Sequence, residues 1–170
     1  MSTFEQTVAG NRPSADSLAP RNFQLPQHLK ADCSRCAGLC CVAPAFYSVQ
    51  GFAFDKPAHT PCRHLTHDNR CEIHAQREAR GFPACVTFDC YGAGQRVTQE
   101  LLNGVNWRTS KKSAQVFAAY ASYQVLHRLM ATLVLAEAVL PAESDTLTSL
   151  RRAIADAERT PVAAIDDDGR

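Results

Sequence analysis

The C-terminal third of the chain carries apolar residues at the spacing of an α-helix. Between positions 109 and 141 they recur at steps of three and four, with neighbours that widen the stripe. The stripe consists of Val116, Phe117, Tyr120, Tyr123, Leu126, Leu129, Met130, Leu133, Val134 and Leu140. Because Thr109 or Ser110 is a suitable N-cap and Pro141 a stop, the pattern predicts one long helix.

A second, shorter helix is predicted directly after the first. It begins at Ser144 or Asp145 and ends before Pro161. Its apolar face consists of Leu147, Leu150, Ile154 and Ala157. The first helix has three basic residues against the single acid Glu137, whereas the chain from Pro141 onward has seven acids against four arginines. The short connection and the opposite charge balance predict an antiparallel pair.

Ahead of these helices the periodicity is lost. Prolines and glycines divide residues 30–108 into short elements, and the one helix expected there is Glu72–Arg80, ended by Gly81 and Pro83. We therefore expect a mainly α protein, in which a C-terminal antiparallel helix pair packs on an irregular, metal-stabilised, cysteine-rich module. The expected division is a loose N-terminal arm at 1–29, the cysteine-rich module at 30–108, the helical hairpin at 109–160 and an acidic tail at 161–170.

Composition and charge narrow the function classes. Of the 170 residues, 45% are hydrophobic and 21% charged, as in an ordinary globular protein. The net charge of +1 supplies no basic field, so neither a nucleic acid nor a membrane is an expected partner. The apolar run Leu129–Leu140 includes Glu137 and is too short to cross a bilayer. The first residues lack the pattern of a secretory signal, so we expect a cytoplasmic protein.

The chemistry is concentrated in eight cysteines, all of which lie between Cys33 and Cys90. In a reducing cytosol, clustered thiols are more often metal ligands than disulfides. A segment this poor in aliphatic residues would also benefit from a metal centre in folding. Thiolates select zinc, Cu(I) or iron–sulfur clusters, so zinc or iron is the expected cofactor, with a [4Fe-4S] cluster as one form of the latter. The expected ligands are Cys33, Cys36, Cys40, Cys41, Cys62, Cys71, Cys85 and Cys90.

The spacing leaves the number of metal centres open. Cys33-x-x-Cys36 brings two thiols to one cation, and Gly38 lets the backbone curl around it. The adjacent Cys40 and Cys41 should point in divergent directions, so they serve two centres or one of them stays free. A wider, polynuclear iron centre accommodates both more easily. Eight thiols match two four-cysteine sites, or one site with redox-active or spare thiols.

Histidines and arginines near the cysteines are further candidates. His64 and His74 can each replace a cysteine as ligand, although a surface imidazole is the more common role. His59 and His67 lie in turn-like surroundings and are weaker candidates. Five arginines can offset the negative charge of a thiolate site: Arg35, Arg63, Arg70, Arg77 and Arg80.

Other short signals favour structural roles. Gly92-Ala-Gly94 predicts a turn rather than a phosphate site, and Trp107 with Arg108 predicts a packed indole rather than a nucleic-acid contact. The chain has no nucleophile-elbow serine, no H-E-x-x-H and no paired-carboxylate helix motif. An enzyme is therefore the less favoured class.

The cysteine pattern resembles that of a known family, the CxxCxxCC-type zinc- or iron-chelating domain. The similar positions are Cys33-x-x-Cys36-x-x-x-Cys40-Cys41, Cys62-x-x-Leu65, Cys71-x-Ile73-His74-x-x-Arg77 and Cys85-x-x-Phe88. Together with the segments 52–57 and 88–95, they are most similar to the cysteine-rich module that precedes bacterial pentapeptide repeats. A related cluster in flagellin lysine N-methylases implies an iron–sulfur centre. The resemblance covers residues 30–108, with Glu78 where the family usually has proline and a predicted helical region where the repeats would follow.

We therefore expect a metal-binding protein that holds zinc or iron through cysteine thiolates in a structural or metal-handling role. The alternative is a redox protein, in which an iron–sulfur cluster carries electrons or senses oxidation. The expected partners are the metal ion and, through the C-terminal helices, another protein or a second copy of the chain.

Overall fold

The computed structural model describes residues 24–103, 105–140 and 144–159. It is mainly helical, as predicted, and its α-helices are α1 (Pro83–Thr87), α2 (Ala93–Arg96), α3 (Ser113–Val139) and α4 (Asp145–Arg159). A π-helical turn, Val97–Leu101, continues α2. The predicted arm up to residue 23 and the predicted acidic tail lie outside the described residues.

The segment that carries the cysteines is built from short turns. Its 3-10 helices are Gln27–Leu29, Cys33–Arg35, Leu39–Cys41, Ser48–Gln50 and His74–Gln76. Extended pairing among the described residues is limited to the isolated antiparallel bridges Phe46–Lys56 and Leu65–Cys71. This part of the chain is irregular, as the lost periodicity predicted.

The helix predicted at Glu72–Arg80 is wrong. The structure has only the 3-10 turn His74–Gln76 there, followed by turns up to Gly81. The Arg77 side chain accounts for part of this, because its Nε donates to the carbonyl of His74 at 2.9 Å. In an α-helix that carbonyl would accept the backbone N–H four residues later. Gly81 then ends the segment in the left-handed region, at φ +85°.

The long C-terminal helix is confirmed, with small differences at its ends. α3 begins at Ser113 rather than at Thr109, and Ser110 Oγ accepts the backbone N–H of Lys112 at 3.0 Å. The predicted stripe is only partly correct, since Leu129 and Leu140 are 46% and 48% exposed. Apolar residues surround most of this helix, so periodicity alone did not select the buried side. Within the described residues, no helix is both long enough and apolar enough to cross a membrane.

The second helix is confirmed and packs against the first. Leu147 and Ile154 of α4 are buried, as predicted, while Ala157 is exposed. Arg151 donates to Glu137 of α3 at 2.5 Å. The predicted charge complementarity therefore appears with the signs reversed, since the acid lies on α3 and the base on α4.

The buried apolar residues form three separate clusters, and cysteines pack against two of them. The first apolar cluster joins the Cys40 segment, α2 and the N-terminal half of α3, and includes Leu39, Val42, Val97, Val116, Phe117 and Tyr120. The second, Leu29, Met130, Ala131, Leu133, Leu147 and Ile154, holds α4 against α3. The third consists of Phe46, Ile73 and Phe82, with Phe52 and Phe54 packed against it. Aromatic rings thus supply burial that aliphatic residues do not, and Phe46 stacks on Phe52 with 4.3 Å between centroids.

Candidate metal centre

All eight cysteines are free thiols in the structure, and seven of them are partly buried. Two of the apolar clusters divide them. Cys36, Cys40 and Cys90 pack against the first apolar cluster, whereas Cys62, Cys71 and Cys85 pack against the third. We assign Cys33 to the first set because Cys90 affects its pKa more than Cys71 does, and Cys41 to the second because Cys71 and Cys62 affect its pKa. We call Cys33, Cys36, Cys40 and Cys90 the first thiol group, and Cys41, Cys62, Cys71 and Cys85 the second thiol group.

In the first thiol group, the C-x-x-C turn faces Cys90. Burial raises the pKa of the Cys33 and Cys36 thiols, and the neighbouring Cys90 adds to the rise in both. Tyr120 lies over the same thiols. Burial raises the pKa of its hydroxyl, and the thiols of Cys40, Cys90 and Cys36 add to that rise.

Hydrogen bonds from the side chains of Asp32 and Arg70 hold the C-x-x-C turn, and Arg70 is distant from it in the chain. The Asp32 carboxylate accepts the backbone N–H of Ser34 at 2.9 Å at its start. Arg70, which directly precedes Cys71, donates to the backbone carbonyls of Cys33 and Ser34. The turn therefore depends on the segment that carries the second thiol group.

Two glycines bring Cys90 and α2 close to this turn. Gly92 has φ +79°, and a β-carbon there would collide with the carbonyl of His28. Gly94 lies against a thiol, because a β-carbon on it would be 2.6 Å from Cys36 Sγ. The prediction of a turn fits Gly92, but the close approach of Gly94 to sulfur was not visible in the sequence.

The second thiol group is held together by direct contacts. Cys41 and Cys71 lie close enough that each thiol changes the pKa of the other. The backbone N–H of Cys62 donates to the carbonyl of Cys41 at 2.8 Å. Burial raises the pKa of the Cys85 thiol to about 11, and the nearby Cys62 and Cys71 contribute to the rise.

The two groups meet at Cys40 and Cys41. Their sulfur atoms are 3.8 Å apart, in weak hydrogen-bond contact, so the predicted divergence of the two side chains does not extend to the sulfurs. The hydrogen bond with Cys40 is the main cause of the raised pKa of Cys41. Cys33 is also affected by the second group, because Cys71 adds to the rise in its pKa.

Three cations lie beside the thiols. Arg77 donates to the carbonyl of Cys85 at 2.8 Å, and its charge opposes the rise in the pKa of Cys33, Cys71 and Cys85. Arg63 lies 3.7 Å from the ring centroid of Phe54 and opposes the rise at Cys62. Of the arginines named from the sequence, Arg63 and Arg77 lie near thiols, whereas Arg70 donates to backbone carbonyls.

The third cation is Lys56, which sequence reasoning missed. It is only 2% exposed, and its ammonium donates to backbone carbonyls in the segments that follow Cys41 and precede Cys62. The acceptors are Val42 at 3.2 Å, Pro44 at 2.6 Å, Pro57 at 3.0 Å and Thr60 at 2.8 Å. Burial lowers the pKa of Lys56, and the thiols of Cys62 and Cys41 oppose that shift. In the sequence, Lys56 follows Phe54 and Asp55 and precedes Pro57. Lysine side chains are usually exposed, so this context gave no sign that Lys56 would be buried.

The structure gives the histidines other roles. His64 Nδ1 pairs with Glu72 at 2.7 Å, and its ring contacts Phe82. His59 stacks on Phe117, with 5.0 Å between the ring centroids. His67 and His74 are exposed. Trp107 is buried, as predicted for a packed indole, and its Nε1 donates to the carbonyl of Ala37 at 2.8 Å.

In the described part of the chain, no three His, Cys, Asp or Glu side chains are already arranged to hold a metal ion. The chemistry of the donor set nonetheless fits a soft cation. Each group offers four free thiols and no carboxylate. The Tyr120 hydroxyl is buried beside the first group with no hydrogen-bond partner among the described residues. The residues therefore fit zinc or an iron–sulfur cluster better than calcium or magnesium.

Comparisons with known proteins give one relative and no function. No protein-family model and no solved structure matches the chain. The chain is similar to a Bacillus subtilis (strain 168) protein named "Uncharacterized protein YybG", with 43% identity over 103 residues. The match covers 60% of this chain and 37% of YybG, so it spans little more than a third of that relative.

Proposed function

We propose that the protein binds zinc or iron through its cysteine thiolates, in two adjacent four-thiolate centres formed by the first and the second thiol group. The observation that carries this proposal is that six of the eight free thiols divide equally between the first and the third apolar cluster, and that Cys40 contacts Cys41. Zinc and [4Fe-4S] clusters both take four thiolates. When bound, the metal would cross-link segments that the protein alone joins only through turns.

The cations support this assignment. Four thiolates on a divalent ion leave a net negative charge, which is costly in a partly buried site unless a cation lies nearby. Lys56 and Arg77 lie beside the second thiol group. Their backbone hydrogen bonds fix them in place, so they require little reordering when the thiols ionise.

The role that we propose is structural or metal-handling. The residues from 30 to 92 hold single-turn 3-10 helices and the five-residue α1, so their order depends on side-chain contacts and on the thiols. We assign no catalytic residue and place the protein in the cytoplasm, where free thiols persist. The helix pair α3 and α4 would present a surface to another protein or to a second copy.

The contact between Cys40 and Cys41 favours a second candidate, an iron–sulfur protein that carries electrons or senses oxidation. Two clusters bound through sulfurs only 3.8 Å apart would be close enough to exchange electrons. The same cysteines would hold both clusters, so the two candidates differ in the metal rather than in the ligands.

Anaerobic purification followed by elemental analysis and absorbance spectroscopy tests the proposal. Stoichiometric zinc in a colourless sample supports the structural role, whereas iron with broad absorbance near ~400 nm supports the redox role. A fresh sample with no transition metal and with its thiols in disulfides would contradict both.

A further inference from the structure

The hydroxyl of Tyr120 is buried, and no contact in the fold explains why it is there. The residue lies in α3, is 1% exposed and belongs to the first apolar cluster. Its hydroxyl has no hydrogen-bond partner among the described residues. A buried hydroxyl without a partner destabilises a protein, and such atoms are rare in native structures. The hydroxyl therefore calls for an acceptor.

The nearest chemistry is the first thiol group. Gly94 gives the direct geometry, because a β-carbon on it would lie 2.6 Å from Cys36 Sγ and 3.8 Å from Tyr120 Cε2. The ring edge and the sulfur thus approach the same point of α2. Cys40 and Cys90 are the thiols with the largest electrostatic effect on the hydroxyl, followed by Cys36. Cys41 of the second group has a smaller effect, so the hydroxyl lies near the thiols of the first group, on the side where Cys40 contacts Cys41.

A thiol and a metal-bound thiolate differ as acceptors. A thiol sulfur accepts hydrogen bonds weakly, whereas a thiolate carries negative charge and accepts a charge-assisted hydrogen bond. The hydroxyl is thus poorly satisfied while the thiols are protonated, and it gains an acceptor when they ionise around a cation. Hydrogen bonds of this kind fix ligand positions and adjust the properties of the metal.

We propose that the Tyr120 hydroxyl donates a hydrogen bond to a thiolate sulfur of the first thiol group when metal is bound there, and so acts as a positioning residue for that centre. This inference rests on the proposed function. It also makes the two centres unequal, because the first receives a neutral hydroxyl donor and the second faces the buried cation Lys56.

Tyr120→Phe should affect the metal-free and the metal-bound protein differently, and this difference distinguishes the proposed role from ordinary core packing. Tyr120→Phe removes one oxygen and keeps the ring, so the metal-free protein loses nothing and unfolds at the same or a higher urea concentration. The metal-bound protein loses the hydrogen bond, and metal in the first centre binds roughly 10-fold more weakly. A purely structural role would shift both forms in the same direction.

The test uses the full-length chain and Co²⁺ as a spectroscopic probe of thiolate coordination. Wild type, Tyr120→Phe and Tyr123→Phe are stripped of metal and reloaded, and Co²⁺ release to a chelator is followed with the sulfur-to-cobalt charge-transfer band. Tyr123 is the matched control, since it lies one turn away on α3 and its ring packs on His127. We expect Tyr120→Phe to weaken one of the bound equivalents and move part of the band to longer wavelength, with Tyr123→Phe like wild type.

The possible failures are distinguishable. If wild type binds Co²⁺ and Tyr120→Phe matches it in release and spectrum, the inference about Tyr120 is overturned and the proposed function stands. If Tyr120→Phe destabilises the metal-free and metal-bound forms equally, the residue is structural and the inference is overturned as well. If wild type takes up no Co²⁺ and no Zn²⁺, and also contains no iron after anaerobic purification, the proposed function fails, and the inference fails with it.

Discussion

The α-carbon of Gly94 lies so close to Cys36 that a β-carbon there would be 2.6 Å from its sulfur. Gly94 belongs to α2, which packs against α3, so neither its backbone nor the helix behind it can move away easily. The positive-φ glycines include Gly38, Gly51, Gly81 and Gly92, and Gly94 is not among them. The requirement for glycine at this position is therefore steric and comes from the thiol.

Gly94→Ala should disturb the first thiol group selectively. The added methyl group has to displace Cys36 Sγ, and such overpacking typically costs ~1–3 kcal/mol. We expect the first centre to bind Zn²⁺ at least roughly 10-fold more weakly, while the second centre in the same molecule keeps its affinity. Chelator competition on the purified variant measures both, and an unchanged first centre would show that Cys36 is not a ligand.

Lys56→Met should destabilise the protein strongly. The substitution keeps the length of the side chain but leaves four backbone carbonyls without their donor. Buried groups that lose a hydrogen bond cost ~1–3 kcal/mol each, and we expect a total loss of at least ~3 kcal/mol. Urea unfolding of the metal-loaded protein measures it.

The matched control for Lys56 is Lys111→Met, since Lys111 is exposed. It should change the free energy of unfolding by no more than ~0.5 kcal/mol. A Lys56→Met protein as stable as this control would mean that the buried ammonium does not hold the Cys41 and Cys62 segments together.

His64→Gln should leave the metal content unchanged. In the structure the imidazole pairs with Glu72 rather than with a thiol, and a partly exposed pair of this kind contributes at most ~1 kcal/mol. Cys71→Ser, by contrast, should lose the metal of the second group. Elemental analysis of the two variants side by side decides the matter, and loss of metal in His64→Gln would make His64 a ligand.

The stability of the protein should fall in mild acid because of His127. The ring is buried, and its Nδ1 lies 2.6 Å from the carbonyl of Tyr91, to which the neutral ring donates. Burial lowers the pKa of His127 in the folded state, so the unfolded state takes up a proton more readily. This contribution is fully present above the unfolded pKa of about 6.5 and is lost as the pH falls below it.

The measurement is the free energy of unfolding between pH 7 and pH 5 for wild type and His127→Gln. We expect a shallower pH dependence in the variant, because it lacks the titrating ring. His67→Gln, which replaces an exposed histidine, is the matched control. If the free energy of unfolding depends on pH equally in wild type and His127→Gln, His127 is not the cause of the acid destabilisation. Comparing the two proteins cancels proton uptake by the thiols, which both contain.

The sequence predicted those features that depend on local spacing. The spacing of apolar residues predicted the ends of α3 and α4 to within a few residues. Pro141 marked the expected end of the first helix, and Ser144 marked the expected start of the second. Periodicity could not select the buried side of α3, because Leu129 and Tyr120 look alike in a stripe that is apolar nearly all round. The helix predicted from Glu72 did not form, in part because Arg77 donates to the carbonyl of His74, a contact that composition does not reveal.

The candidate metal centre could likewise be predicted only in part from the sequence. The eight cysteines stand out in the sequence, but their grouping depends on long-range packing. Cys90 joins the C-x-x-C turn only because α2 packs against α3 and Gly94 admits the sulfur of Cys36. Lys56 was not singled out in the sequence, and Tyr120 was only one member of the predicted apolar stripe. Their roles depend on neighbours distant in the chain, among them Val42 and Cys40.

Metal content per chain in wild type, Cys36→Ser and Cys85→Ser is the most direct test of two centres. We expect wild type to hold about two zinc ions, or about eight iron atoms if the centres are clusters. Each variant should lose the metal of its own group and keep that of the other. A single equivalent in wild type, or loss of all metal in both variants with the fold retained, would contradict the account.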